Sequence, residues 1–206
     1  IPSTYVPAAK DMFDEGAIDW PCIKIQKDYK DVADIIKIAM MRNRVPDMWY
    51  GDYLACVGSS RVGEKRLEEL CKEYGNDIIK DFCEAYQDYG AKRMKEELKT
   101  LPKGHYEYDI KADAIEGVIP EVNIHIICDT KPEEGCIEFD LTKNVDSLPC
   151  GLNMCEATTL ASVVTGVLNR MPCDIPCNDG AMSRIKVKMR EGCIAVSYTH
   201  LRAHET

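Results

Sequence analysis

Cys150, Cys155, Cys173 and Cys177 come nearest to a metal-binding set, since four thiolates can hold zinc tetrahedrally. Their spacing argues against it. Four residues separate the first pair and three the second, where a zinc ribbon has two, and no histidine stands beside them. They read instead as buried structural thiols, and without a Cys-x-x-Cys pair they do not read as a redox centre. His125 alternates with Ile124 and Ile126, which puts it on the polar side of a strand as an ordinary exposed or hydrogen-bonded histidine; His105 opens a strand after a turn. A nucleophile, base and orienting acid do not assemble from these. Two loops are more informative: Pro149-Cys150-Gly151-Leu152-Asn153, and Asp174-Ile175-Pro176-Cys177-Asn178-Asp179-Gly180. Each joins a glycine, for tight backbone geometry, to an asparagine whose amide both donates and accepts. As a site they would suit a small polar amide or carboxylate; as backbone chemistry, Asn-Asp-Gly is simply a good turn.

The elements that must position these loops follow from periodicity. Residues 1–27 carry Pro2, Pro7 and Pro21 without sustained periodicity and read as an extended, docked segment. From Tyr29, Val32, Ile35, Ile36, Ala39 and Met40 recur at helical spacing, for a helix of about four turns ending before Pro46. A second helix, Gly51 to Tyr74, carries Leu54, Val57, Leu67 and Leu70 on one stripe and stops at Gly75. Asp77 is placed to cap a third, with Ile78, Phe82, Ala85, Tyr86 and Tyr89 as its buried face, continuing through Met94 to Leu98. After Leu101-Pro102-Lys103-Gly104 the period drops to about 2. Tyr106 and Tyr108, then Val122, Ile124 and Ile126, then Ile137 and Phe139 mark strands linked as hairpins, one across a Pro-Glu-Glu-Gly turn. A helix over about 157–168 and a last strand at Ile185, Val187 and Met189 complete the pattern. The fold class is α+β: a helical layer over about residues 29–100, then a mainly antiparallel sheet with one further helix. The expected organisation is 1–100, a docked segment plus helical region, then 101–196, a mixed sheet and helix region, and 197–206, a non-native tail.

The bulk properties limit the partners. With 206 residues, 45% of them apolar, the chain can build a real core. Twenty-six Lys and Arg against 35 Asp and Glu give a net charge of −9 with no basic stripe, so nucleic acid is not an expected partner. No apolar run approaches the roughly 20 residues of a membrane span. Eleven cysteines in a chain with ample core read as reduced thiols, hence a cytoplasmic location. No Gly-x-x-x-x-Gly-Lys or Gly-x-Gly-x-x-Gly occurs, so any nucleotide is expected to bind elsewhere.

Seven landmarks stand in a recognisable order: DMFDEGAIDWPCIKI (Asp11 to Ile25), RNRVP (Arg42 to Pro46), WYGDYLACVGSSRVGEKRLEELCKEYG (Trp49 to Gly75), LPKGHY (Leu101 to Tyr106), IEFDLT (Ile137 to Thr142), PCGLN (Pro149 to Asn153) and DIPCNDGAMSRIKV (Asp174 to Val187). In this order the chain resembles the hydantoinase B/oxoprolinase family from about Pro2 to Ile194. The resemblance implies one subunit of an ATP-dependent two-subunit enzyme that opens a cyclic amide or imide. In the acetone carboxylase branch, an alpha-type subunit joins carbon to a ketone. It implies an A-type partner subunit that binds ATP and Mg, a small-molecule substrate, and a divalent metal held in the full-length subunit by residues upstream of Ile1; no cofactor is expected on this stretch. Residues are therefore expected to be missing upstream, and the piece alone is expected to express poorly for want of its sheet partners. By position, Asp52 and Arg61 match the polar positions of the family's Gly-Asp-x-x-Ala and Arg-x-Gly-x-x-Arg-Leu pattern, and Asn153 and Asn178 match its Gly-x-x-Asn-like and Asn-x-Gly loops. These four are the candidate substrate-binding residues, although an Asp52 that caps the helix carrying Arg61 would be structural. Departures include Ala55-Cys56-Val57-Gly58-Ser59-Ser60 where many members read Ala-Gln-x-x-Ala-Asn, and Cys150-Gly151 and Cys177 in place of commoner residues in the two loops; the form Trp49-Tyr50-Gly51-Asp52-Tyr53 points to a subgroup whose substrate need not be a hydantoin. A rival reading of another class is a non-catalytic interaction module.

Overall fold

The computed structural model describes residues 9, 20–43, 45–114 and 121–197. The docked N-terminal segment is therefore described only at Ala9 and from Trp20 onward, and the tail only at Ser197. The chain divides into two compact units between Ile79 and Lys80.

The first unit opens with a hairpin, β1 (Gln26–Lys27) and β2 (Lys30–Asp31), paired antiparallel. Its turn residues Asp28 and Tyr29 both take positive φ, 50° and 63°, the primed-turn geometry whose twist suits a two-residue hairpin. Those conformations exclude a helix, so α1 begins only at Ala33 and runs to Arg42, just under three turns rather than four. Ile36 and Ala39 form its buried side, as their spacing predicts, and α1 packs on α2 (Pro46–Tyr74). The second helix starts five residues before the predicted Gly51 because Pro46 supplies a preset φ in its first turn and Asp47 favours the positive helix end. Gly75, at φ 87°, ends it. The expected apolar stripe is not buried: Leu54, Leu67 and Leu70 are exposed, and Tyr53 is the buried residue.

In the second unit, α3 (Asn76–Leu98) enters the core only with its last turns. Gly90, Met94 and Leu98, spaced by four, are buried, and Met94 is fully so. Asp77 lies inside the first turn and is not a cap. The expected burial of Ile78, Phe82, Tyr86 and Tyr89 is overturned, since all four are exposed. A sheet follows in the order β3 (Gly104–Ala112), β4 (Val122–Lys131), β5 (Cys136–Asp140), β6 (Ile185–Lys188). The first two pairs are antiparallel, the second closed by a turn in which Gly135 takes φ 62°. β6 joins β5 in parallel, because the chain returns through α4 (Glu156–Leu168) and the short α5 (Asp179–Met182) before pairing. The sheet is thus mixed within an α+β fold. Met94, Leu98, Ile137, Val164, Val167, Ile175, Ala181 and Ile185 form the main core. A second cluster gathers Leu141, Cys193, Ala195 and Val196.

Candidate functional site

The cavity of the second unit, about 580 Å³, lies between α4 and the inner face of the sheet. From α4 it takes Thr159, Ser162, Val163, Gly166 and Val167, one helical stripe by spacing, and Arg170 and Met171 from the turn that follows. Ile110, Ile124, Ile126 and Phe139 give the sheet side, and Leu152, Met154 and Ile194 one end. A Cβ at Gly166 would meet no atom within 4 Å, so the space continues over this turn. Both lining hydroxyls are turned to backbone: that of Thr159 donates to the Ala195 carbonyl, and that of Ser162 to the Thr158 carbonyl at 2.9 Å; Glu97 and Arg170 are the charged residues of the lining. Such a cleft holds an apolar body; its lining offers no nucleophile and base in contact.

The Asn153 loop reaches this cavity through Leu152, whereas no residue of the Asn178 loop lines it, and both asparagines are engaged with backbone. Asn153 accepts from the Leu148 N–H at 2.8 Å and donates to the Leu148 and Cys150 carbonyls, closing its own loop. Its neighbours Leu152 and Met154 face the cavity; Asn153 is not among the lining residues. Asn178 is the N-cap of α5, accepting from the Ala181 N–H at 3.0 Å, and donates to the Tyr86 carbonyl on α3 at 2.9 Å. A Cβ at Gly90 would fall on Asn178 Oδ1, and one at Gly180 on the Gln87 carbonyl, so glycine is required on both sides of this approach. Arg93 pairs with Asp174 at 2.8 Å alongside, and that guanidinium holds the Asp174 carboxyl below its usual range.

Arg61 belongs to the first unit, where it clamps the hairpin. Its guanidinium stacks over the Tyr29 ring, 3.9 Å from the centroid, and donates to Gln26 Oε1 at 2.5 Å and Glu64 at 3.3 Å. The Tyr29 hydroxyl donates to Glu64 at 2.6 Å, which with Arg61 lowers the pKa of that carboxyl. Tyr53 and Gln26 donate to Asp31 at 2.5 and 2.7 Å, lowering its pKa as well. Asp52 sits exposed in the second turn of α2, so it does not cap the helix that carries Arg61.

The four candidate zinc cysteines do not share one environment. Cys150 is buried and Cys155 half-buried, whereas Cys173 and Cys177 are exposed, contrary to the expected buried thiols. Cys155 is the N-cap of α4, where the Thr158 hydroxyl, 3.1 Å away, and first-turn amides hold its thiol below the ordinary value. Among the described residues no three His, Cys, Asp or Glu side chains come together to hold a metal ion. His125 contacts Asp109 at 2.8 Å, and His105 contacts Asp129 at 2.6 Å, both on the outer sheet face. Sequence reasoning missed Asn144, which is buried and ties β4 to the following loop through the His125 N–H and the His125 and Leu141 carbonyls. It also missed Glu138, whose carboxylate meets Lys131, Lys186 and Lys188 and is lowered in pKa chiefly by Lys131. A lone Asn or Glu in a loop or strand carries no periodic signal.

The sequence model of the Hydantoinase B/oxoprolinase family matches residues 1–199. Caprolactamase subunit beta of Pseudomonas jessenii is 24% identical over 190 residues, 92% of this chain and 32% of that protein. The fold is similar to the crystal structure of the ATP-dependent caprolactamase from the same organism, with a TM-score of 0.83 at 21% identity, covering 98% of this chain and 34% of that one. It is also similar to nucleotide-free acetone carboxylase, with a TM-score of 0.80 at 15% identity, covering 95% of this chain and 27% of that one. The chain spans about a third of the length of the caprolactamase it matches.

Proposed function

The chain belongs to the Hydantoinase B/oxoprolinase family, and on that premise we propose that it is part of the B-type subunit of an ATP-dependent enzyme that opens a cyclic amide or imide. The alignment with caprolactamase subunit beta over 92% of this chain carries the reading. In this reading an A-type partner binds ATP and Mg, consistent with a sequence that has no phosphate loop. The family's divalent metal does not fit the described residues, which assemble no ligand set. In net, ATP and two waters would open the ring: the terminal phosphoryl group of ATP would pass by way of the amide oxygen and leave as phosphate with release of ADP, while water adds to the carbonyl carbon and the ring C–N bond breaks to give a carboxylate and an amine. This stretch contributes shape and exclusion of water. Asp52, Arg61, Asn153 and Asn178 are proposed as the substrate-binding positions; Asp52 is the exposed one, while Arg61 is engaged with the side chains of Tyr29, Gln26 and Glu64, and Asn153 and Asn178 with backbone. The enzyme works in the cytoplasm as a hetero-oligomer.

The test is ATP consumption by the full-length subunit with its A-type partner. Turnover that depends on a lactam, 5-oxoproline or a hydantoin supports the hydrolase. Turnover that depends on bicarbonate and a ketone replaces it with an acetone-carboxylase-like ligase, whose fold likeness is slightly lower, with a TM-score of 0.80 against 0.83. No nucleotide turnover with either set leaves the interaction module as the function.

A further inference from the structure

β3 is an edge strand whose charged side chains all lie on its outward face, so its inward face lacks the inward-pointing charges that protect many natural edges. It runs nine residues in unbroken register with β4, without a bulge or proline, and no described strand pairs with its other side. Its outward residues His105, Glu107, Asp109 and Lys111 are polar. Its inward residues Tyr106, Tyr108 and Ile110 oppose Cys128, Ile126 and Ile124 in register, yet they remain exposed, Tyr108 by 69%. The cleft begins at Ile110, Ile124 and Ile126, so the open apolar surface is continuous from the edge into the cavity. A small ligand could fill the cavity but could not pair the free backbone groups of the edge; a polypeptide strand does both.

We propose that β3 receives a further strand from the portion of the subunit beyond the third represented here, with that strand's alternate apolar side chains entering the cleft. This rests on the B-type subunit reading above. The occupant is placed in the same polypeptide because the caprolactamase relative has about two thirds of its length outside the matched region. The permanent exposure of such an edge on a free subunit would invite aggregation.

Amide hydrogen exchange read by mass spectrometry over Gly104–Ala112 tests this in the full-length subunit without its partner. The β3 amides that face away from β4 are expected to exchange at least about 100-fold more slowly there than in the 206-residue chain, as groups inside a sheet do. Tyr108→Lys in the full-length subunit should restore fast exchange selectively in β3. Fast exchange of these amides in the unaltered full-length subunit overturns the proposal, whatever the short chain does. Protection that appears only on adding the A-type subunit assigns the edge to that partner and overturns it too. So does protection that grows with concentration and tracks a dimer mass. None of these readouts depends on ATP turnover, so the assembly and the activity fail separately.

Discussion

The two halves of α3 have the same periodicity and opposite fates. From Gly90 onward the helix is buried against the sheet and α4, with Met94 and Leu98 almost inaccessible. Before it, Phe82, Tyr86 and Tyr89 stack along the helix with centroids 5.6 and 6.4 Å apart, yet stay exposed, Phe82 by 61%. The sheet repeats the contrast: Ile137 and Ile185 are buried, while Tyr106, Tyr108 and Ile110 on β3 are open. Hydrophobic spacing therefore reports which face requires cover, and says nothing of whether the cover lies in the same stretch of chain. An apolar stripe of this size left open is surface that further polypeptide would cover.

The sharpest way to break this comparison is a pair of truncations on the one helix. Met94→Ala removes a side chain with no exposure, and urea unfolding should show a loss of about 2–5 kcal/mol. Phe82→Ala in the same chain should cost less than about 0.5 kcal/mol, the ordinary range for a surface site. Equal losses would mean that the exposed half has a partner within the chain.

Several elements were legible because one local rule fixed each. Alternation gave β3, β4 and β5, the Pro-Glu-Glu-Gly turn gave their hairpin, and spacing gave α4 nearly to the residue. The hairpin at Gln26 to Asp31 was not legible, because its positive-φ turn is Asp28-Tyr29 where an Asn-Gly signal would be expected. The parallel docking of β6 was hidden for another reason: its partner lies across α4 and α5, and pairing direction at that distance leaves no mark on four residues. In the candidate site, the glycines and asparagines of both loops were identified, but their work is loop closure and close approach. The cleft went unread, since its lining is scattered over five elements and the loops between them.

The boundary between the two halves of α3 can be sharpened at its glycine contact. Gly180→Ala forces a methyl into the Gln87 carbonyl and should destabilise the second unit by about 1–3 kcal/mol, as overpacking does. On the open side of α4 the sign reverses. Gly166→Ala meets no neighbour and should stabilise by about 0.8–1 kcal/mol through helix propensity alone, raising the urea midpoint. A loss at Gly166 would show that the full protein's cleft is already filled at that turn.

The smallest effect is expected on the outer, polar face of the sheet, which contrasts with the open inner one. Asp129 and Glu107 raise the pKa of His105, Asp129 being the stronger influence. Folding then favours the protonated ring, so the contribution is fully present below the unfolded histidine value of about 6.5 and is lost as pH rises through the elevated folded value. His105→Gln should lower the thermal midpoint slightly at acidic pH and leave it unchanged once the ring is neutral, in scans across that interval. Because the pair is exposed, salt should shrink the difference further. A difference that persists unchanged at alkaline pH would mean that His105 acts through packing, and the outer face would then need cover of its own.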